Sequence, residues 1–581
     1  MAALPNFILK RLYVKESLLN TPDGYQFSLR NSLGAGTVVG IQGLDIDGTA
    51  LPVSGIAIVP PVGVPREAAG VNPTSPLPLA AGVAVAFRVK ERQLPPGRHL
   101  LKLKLLTREM GSLEISVTDT VGDAAVARGA VNAAPAEQTA EAAPVRPLKV
   151  TIIGAGSMVF ARQLMTDILC TPGLVSGTFS LVDVDPRRLD LAHRIGEAMV
   201  KASGRSWKVE ASTDRRRMLA DADYVINTIE VAGLRNVRHD YDIPLKYGVD
   251  QCIGDTIGPG GIFKMLRTGP AWLDILRDIE KLCPKAIVLN HTNPMSAITL
   301  LGLRATGLKI VGLCHSVQDT ALQLAAYLDV PSEELRFTCA GINHLAWYTS
   351  LTYRGDDMYP RLAEKARDPE VYEEDPIRFE VMKHFGAFVT ESSGHLSEYL
   401  PYFRKRPDLV KKYTREGYKG ESGFYANHWP TWRTSGDESI ADILDGRSSL
   451  AMQRSEEYAS VVIEARERGV PHVVHANVLN TGLIDNLPFD DCVEVPVLVD
   501  SSGLAPVHFG PLPAQMAALD RAHAAVHDLM VTAVLEKDRT AARHALLLDP
   551  LTAAVCSPEE CSALFDEMWE AQRRDLAWFD R

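Results

Sequence analysis

The chain has 581 residues, 46% hydrophobic, 23% charged and 7% aromatic, a balance that excludes a disordered, collagen-like or coiled-coil protein. Lysine and arginine number 61 against 72 aspartates and glutamates, and a net charge of −11 gives no general attraction to nucleic acid or anionic lipid. No apolar run is long enough to cross a bilayer. Met1–Arg11 lacks the basic-then-apolar order of a secretory signal. Eight cysteines, none in a Cys-x-x-Cys pair, are too few for a disulfide scaffold, so a reducing cytoplasm is expected.

In chain order, Phe7–Val14, Tyr25–Leu29, Thr37–Leu44, Gly82–Lys90, His99–Leu106 and Leu113–Val117 are short alternating or β-branched runs. Turn formers such as Pro22-Asp23-Gly24 and Pro95-Pro96-Gly97 separate them. They predict a small all-β domain over residues 1–121, sandwich-like because strand edges need cover. It holds no catalytic constellation, which fits an accessory or assembly role. Residues 122–146 are rich in Ala, Pro and Glu and predict a linker. From Leu148 strands and helices alternate: Leu148–Ile153, Phe179–Val182, Tyr224–Thr228, Ala286–Asn290 and Ile310–Leu313 as strands, with Arg162–Leu169 as the first helix. That repetition predicts an α/β, Rossmann-like, doubly wound parallel sheet over residues 147–334. Residues 335–581 read as an α+β region for substrate, metal and assembly. Amphipathic stretches at Ala514–Leu535 and Pro558–Trp578 offer it an interface.

Strand Leu148–Ile153 runs into Gly154-Ala155-Gly156-Ser157-Met158-Val159-Phe160. Glycines there let the backbone approach a diphosphate, and the following helix offers free N–H groups and the positive end of its dipole. Val159 stands where the full fingerprint has its third glycine. Asp183, at the end of the second strand, can accept bonds from an adenosine ribose and would repel a 2′-phosphate, which favours NAD over NADP. The loop Asn227–Gly233, carrying Glu230, is expected beside the cofactor.

Cys314 follows another strand, and His344 closes Gly341-Ile342-Asn343-His344. A thiolate and an imidazole at strand ends suit one divalent metal with open positions for substrate oxygens. Taken together, Gly154–Ser157, Asn293-Pro294-Met295, Cys314-His315-Ser316-Val317, Gly341–His344, Asn477–Gly482 with Asn486-Leu487-Pro488, and Asp549-Pro550-Leu551-Thr552 resemble glycoside hydrolase family 4, in that order. The resemblance covers roughly residues 147–581 and leaves out the β domain.

The resemblance implies NAD, a divalent metal (usually Mn²⁺), and hydrolysis through redox steps, outside the usual two-carboxylate scheme. C3 of the sugar is oxidised, a base removes the C2 proton, the C1–O bond breaks by elimination, water adds, and C3 is reduced again. Position by position, it implies Cys314 and His344 as metal ligands and Asn293 and Asn343 at the sugar. Asp255 is implied near the reacting carbons, and His315 at a hydroxyl or the leaving group. The family base is a tyrosine or an aspartate. The matching stretch Thr390–Tyr399 holds no aspartate, so Tyr399 is preferred, with Glu391 as the alternative. A phenol, with a pKa of about 10, needs a nearby cation for that task. Cys-His-Ser-Val resembles the α-galactosidase members rather than those acting on phosphorylated sugars. A small unphosphorylated α-glycoside is therefore expected, galactose first and a uronic acid second, in a homodimer or homotetramer. The competing readings are an NAD-dependent dehydrogenase of hydroxy acids or polyols, which needs no metal, and an adaptor built on the β domain.

Overall fold

The computed structural model describes residues 12–14, 17–21, 23–30, 36–59, 66–73, 75–79, 84–108, 111–121, 145–450, 452–455 and 457–580. The chain divides into two compact units, Met1–Glu141 and Ala142–Arg581. The start of the predicted strand Phe7–Val14 and nearly all of the predicted linker lie outside the described residues.

Among its described residues, the first unit holds two antiparallel sheets. One runs Leu19–Thr21, Gly24–Arg30, Ala84–Val89, Ile56–Val59, Arg66–Glu67. The other runs Gly111–Val121, Gly97–Thr107, Gly36–Ile46, Thr49–Leu51, with Leu77–Leu79 beside Gly36–Ile46. In Gly97–Thr107, Leu101, Leu103 and Leu105 point inward while Lys102 and Lys104 face water, as a period of two requires. The leucines share one core with Phe27, Ile58 and Phe87 of the other sheet, so the unit is a sandwich.

The second unit is organised on one sheet of 13 strands among the described residues. Six parallel strands lie in the order Ser206–Ala211, Ser176–Val182, Leu148–Ile153, Tyr224–Asn227, Ile287–Asn290, Lys309–Gly312. The chain order reverses between Leu148–Ile153 and Tyr224–Asn227, which opens a crevice beyond the carboxyl ends of those strands. Tyr224–Asn227 and Ile287–Asn290 are buried throughout because helices cover both faces. Successive side chains enter opposite cores: Tyr224, Ile226, Ile287 and Leu289 one, Val225 and Val288 the other. Ser206–Ala211 escaped the sequence pattern because it is an edge strand, and its charged Lys208 and Glu210 break the apolar run.

Residues beyond 335 do not form a separate layer. His472–Leu479, Cys492–Asp500, Leu335–Ile342 and Leu345–Tyr353 continue the same sheet in antiparallel fashion, joined to the parallel half where Gly312 pairs with Asn477. Helices Ala514–Glu536 and Pro558–Ala571, expected to offer an assembly surface, bury Val526, Met530, Leu564 and Phe565 in this unit's own core. Among the described residues no helix is long and apolar enough to cross a membrane.

Candidate active site

The turn after Leu148–Ile153 delivers Gly154, Ala155, Gly156 and Ser157, and Ser157 stands just before helix Met158–Cys170 without a side-chain capping bond. Gly154 has φ +90°, and a Cβ there would lie 2.6 Å from the Thr228 carbonyl, so only glycine fits. The Gly156 amide donates to Asp183 Oδ2 at 2.8 Å, which sets the predicted ribose acceptor directly beside the turn. Asp183 leads into Asp185, whose side chain caps helix Pro186–Ser203. The residues fit a dinucleotide: a side chain on Gly156 would come within 2.6 Å of the Asp183 carboxylate and fill the cradle.

Cys314, His344 and Glu391 converge, their ligand atoms all within 4.8 Å of one another. His344 Nε2 is 3.5 Å from Cys314 Sγ and 3.4 Å from a Glu391 oxygen. Cys314 follows strand Lys309–Gly312, His344 sits in the turn between Leu335–Ile342 and Leu345–Tyr353, and Glu391 follows Phe388–Val389. His344 and Glu391 have φ +63° and +73°, strained for such side chains by about 1–3 kcal/mol each. Thiol, imidazole and carboxylate together fit one divalent metal with free positions left over. Burial lowers the His344 pKa to about 4, leaving the neutral imidazole that ligation needs. Burial, with Glu494 and Glu391, pushes the Cys314 thiol well above its ordinary value, so a metal must displace its proton.

Glu391 also faces His395, Oε1 to Nδ1 at 3.3 Å, and His395 Nε2 lies 3.7 Å from Asp255 Oδ1. Burial alone would lower the His395 pKa, yet Glu391 and Asp255 raise it to about 10 and keep the ring charged. Asp255 Oδ2 meets Lys264 Nζ at 3.3 Å and accepts from Asn293 Nδ2 at 3.1 Å. Burial opposes ionisation of Asp255, but Lys264 and His395 hold it well below the usual range. Lys264 reaches on to Glu230 Oε2 at 2.8 Å, so predicted cofactor and substrate residues share one charge network. Glu230, Asp255 and Lys264 of this network line a cleft together with Tyr425 and Trp429.

Tyr399 is fully buried, its hydroxyl without a hydrogen-bond partner among the described residues and its ring centroid 6.4 Å from that of His344. Asn343 is 1% exposed and neither end of its amide is bonded among the described residues. His315 stands apart from the trio, half-exposed, with Nδ1 2.9 Å from Glu457 Oε1. Burial lowers its pKa, but the Glu457 bond and charge lift it to about 9.

Sequence reasoning missed Lys264, His395 and Glu457, and considered Glu391 only as a base. It also missed Glu398, whose carboxylate accepts from the amides of Cys252, Ile253 (2.6 Å) and Gly254 (3.2 Å) and so holds the loop that presents Asp255. The four-residue spacing of Glu391 and His395 is no helical pair, since Glu391 lies before helix Ser393–Tyr399 in a left-handed conformation.

Residues 149–330 match the family 4 glycosyl hydrolases, and residues 339–552 match the C-terminal domain of that family. Residues 8–122 match the N-terminal domain of hydroxymethylglutaryl-CoA reductase. An α-galactosidase of Bacillus subtilis is 38% identical over 73% of this chain and 98% of its own length. An α-galacturonidase of the same organism is 30% identical over 72% of this chain and 96% of its own. A crystal structure of a Bacillus subtilis protein assigned as a glucosidase superposes with TM-score 0.65 at 28% identity, covering 73% of this chain and 99% of that one. A 6-phospho-α-glucosidase from gut microorganisms, crystallised with NAD and Mn²⁺, has the same fold with TM-score 0.63 at 20% identity, over 74% of this chain and 99% of that one.

Proposed function

Because the chain belongs to family 4 of the glycosyl hydrolases, we propose that it is an NAD- and Mn²⁺-dependent glycosidase acting on unphosphorylated α-galactosides. The observation that carries the substrate is the pairing of the three cations that border Asp255 and the trio, Lys264, His395 and His315. Lys264 is held by Glu230 and Asp255, His395 by Glu391 and Asp255, and His315 by Glu457. A phosphate or uronate would need a cation of its own. A neutral galactoside does not. The 38% identity to an α-galactosidase supports the same choice, and the α-galacturonidase relative keeps uronides as the second substrate class.

When bound, NAD supplies an acceptor for the C3 hydride that later gives it back, and the divalent ion supplies a Lewis acid at the neighbouring sugar oxygens. Cys314, His344 and Glu391 would hold the ion, and Gly154–Ser157 with Asp183 the dinucleotide. Asn293, already oriented by Asp255, and Asn343, with a free donor and acceptor, bind sugar hydroxyls. Tyr399 takes the C2 proton. Burial and the surrounding carboxylates raise its pKa well above the ordinary value, so it works as a base only with a cation at the neighbouring trio. Assigning Glu391 to the ion leaves Tyr399 as the base, since a carboxylate that shares its charge with a divalent cation is a weaker base. His315, kept protonated by Glu457 and half-exposed, protonates the leaving oxygen. Asp255 and the loop that Glu398 clamps hold His395 and Asn293 in register.

A reducing cytoplasm belongs to the same proposal and is supported by eight free cysteines. So does a homodimer or homotetramer, which sedimentation equilibrium tests. The activity test is a panel of α- and β-linked nitrophenyl galactosides, glucosides and galacturonides with NAD⁺ and Mn²⁺ under reducing conditions. The α-galactoside should release nitrophenol without net NADH. Sustained stoichiometric NADH would favour a dehydrogenase instead.

A further inference from the structure

Helix Phe424–Leu444 carries Trp429, Arg433 and Asp437 at four-residue intervals, a spacing that sets them along one face. The outer two are anchored at opposite ends of the crevice. Asp437 Oδ2 pairs with Arg188 Nη1 at 2.6 Å, and Arg188 Nε donates to the Gly156 carbonyl at 2.7 Å, so this end stands over the glycine turn. Trp429 lies on the start of helix Gly233–Lys246: a Cβ on Gly233 would come within 2.3 Å of its ring and 2.7 Å of Glu230 Oε1. Eight residues of helix separate the anchors, about 12 Å at 1.5 Å per residue.

Arg433 sits midway. It is half-buried and forms no hydrogen bond or ion pair among the described residues. The charges it feels are those of Arg188, Asp437, Asp183 and Glu230, which lie at the two ends of the crevice. A guanidinium drawn partly out of water beside Arg188, whose neighbouring carboxylates Asp437, Asp183 and Glu230 all stop short of an ion pair with it, keeps donors that an anion would engage. The facing turn Gly154–Phe160 contains no cation and offers only backbone N–H groups and a helix N-terminus.

We propose that Arg433 binds the diphosphate of the dinucleotide, closing the cofactor site from the side opposite the glycine turn. The assignment rests on the NAD dependence proposed above and adds a cofactor residue contributed by the second half of the chain. It also gives the helix a purpose in the redox cycle: a cofactor that must return the hydride it accepted has to stay bound until product forms.

Full-length protein, R433Q and R433E are titrated with NADH and ADP-ribose by fluorescence and competition, with no sugar present. Arg433 holds no contact that maintains the fold, so both variants should melt like the wild type. R433Q should weaken NADH and ADP-ribose alike by about tenfold and R433E by more, while competition by adenosine, which has no phosphate, stays unchanged. The wild type should also lose affinity more steeply with salt than R433Q. NADH binding within twofold of wild type in both variants overturns the assignment. A wild-type protein that binds no NADH overturns the cofactor reading itself, a different result.

Discussion

Replacing Lys264 by methionine preserves most of the side-chain volume and removes the charge that joins the cofactor and substrate ends of the site. The ammonium lies 2.8 Å from Glu230 and 3.3 Å from Asp255, and the lysine side chain is 8% exposed. Deleting one member of a buried ion pair costs about 3–5 kcal/mol, because the remaining charge loses its compensation. A unit spanning Ala142–Arg581, unfolding cooperatively with about 2.1 cal/mol/K per residue, carries about 0.9 kcal/mol/K of unfolding entropy. The melting temperature should therefore fall by about 3–5 °C at neutral pH. In the wild type, burial opposes the charge on Asp255 but Lys264 and His395 outweigh it and depress its pKa. That contribution is present above the unfolded pKa of about 3.9 and is lost as pH falls through the folded value. Without Lys264 the Asp255 carboxylate moves upward and takes a proton more readily, so the deficit is greatest at neutral pH and narrows with acid. Thermal melts of both proteins from mildly acidic to mildly basic pH measure this. An unchanged melting temperature at neutral pH, or a deficit that widens with acid, would refute the reasoning.

Cys314→Ser should abolish Mn²⁺ dependence and turnover together while NADH titration stays near wild type, because a hydroxyl does not deprotonate to ligate as a thiol does. Tyr399→Phe should lower kcat at least a hundredfold with little change in sugar affinity, since a base acts in the transition state. Wild-type turnover in D₂O should place deuterium at C2 of the released sugar, as NMR would show, and retention of the original hydrogen excludes the elimination route. A protein beginning at Pro147 should fold and bind NADH; aggregation on truncation would show that the β sandwich is needed for solubility or assembly.

The residues legible in the sequence were those whose chemistry depends on their immediate neighbours. Gly154 and Gly156 announce a tight turn, Asp183 ends its strand, and Leu101, Leu103 and Leu105 alternate as a half-buried strand must. Cys314 and His344 stood out through short signatures around them. Glu391 did not stand out as a ligand, because its direction is set by a left-handed backbone turn that side-chain type alone does not reveal. Lys264 lies in helix Gly258–Leu282, where a lysine among apolar residues gives no sign that it is buried between two acids. Glu398 acts across a gap of more than a hundred residues, on Cys252, and no local periodicity carries that information. The joining of the two halves into one sheet depends on a single pairing, Gly312 with Asn477, beyond the reach of any window along the chain.

That joined sheet also fixes when the metal trio can assemble. His472–Leu479 and Cys492–Asp500 lie between the strand leading to Cys314 and the strand leading to His344, although both come much later in the chain. During synthesis from the N-terminus, Cys314, His344 and Glu391 leave the ribosome well before the strands that hold their supports together. The dinucleotide turn and its parallel strands are complete by residue 312 and can fold first. The strands that close the gap between the trio's supports are complete only at residue 500. Such non-local pairing slows closure, and it also keeps a growing chain from setting a thiol, an imidazole and a carboxylate around a passing metal ion before the fold is there to choose which ion stays.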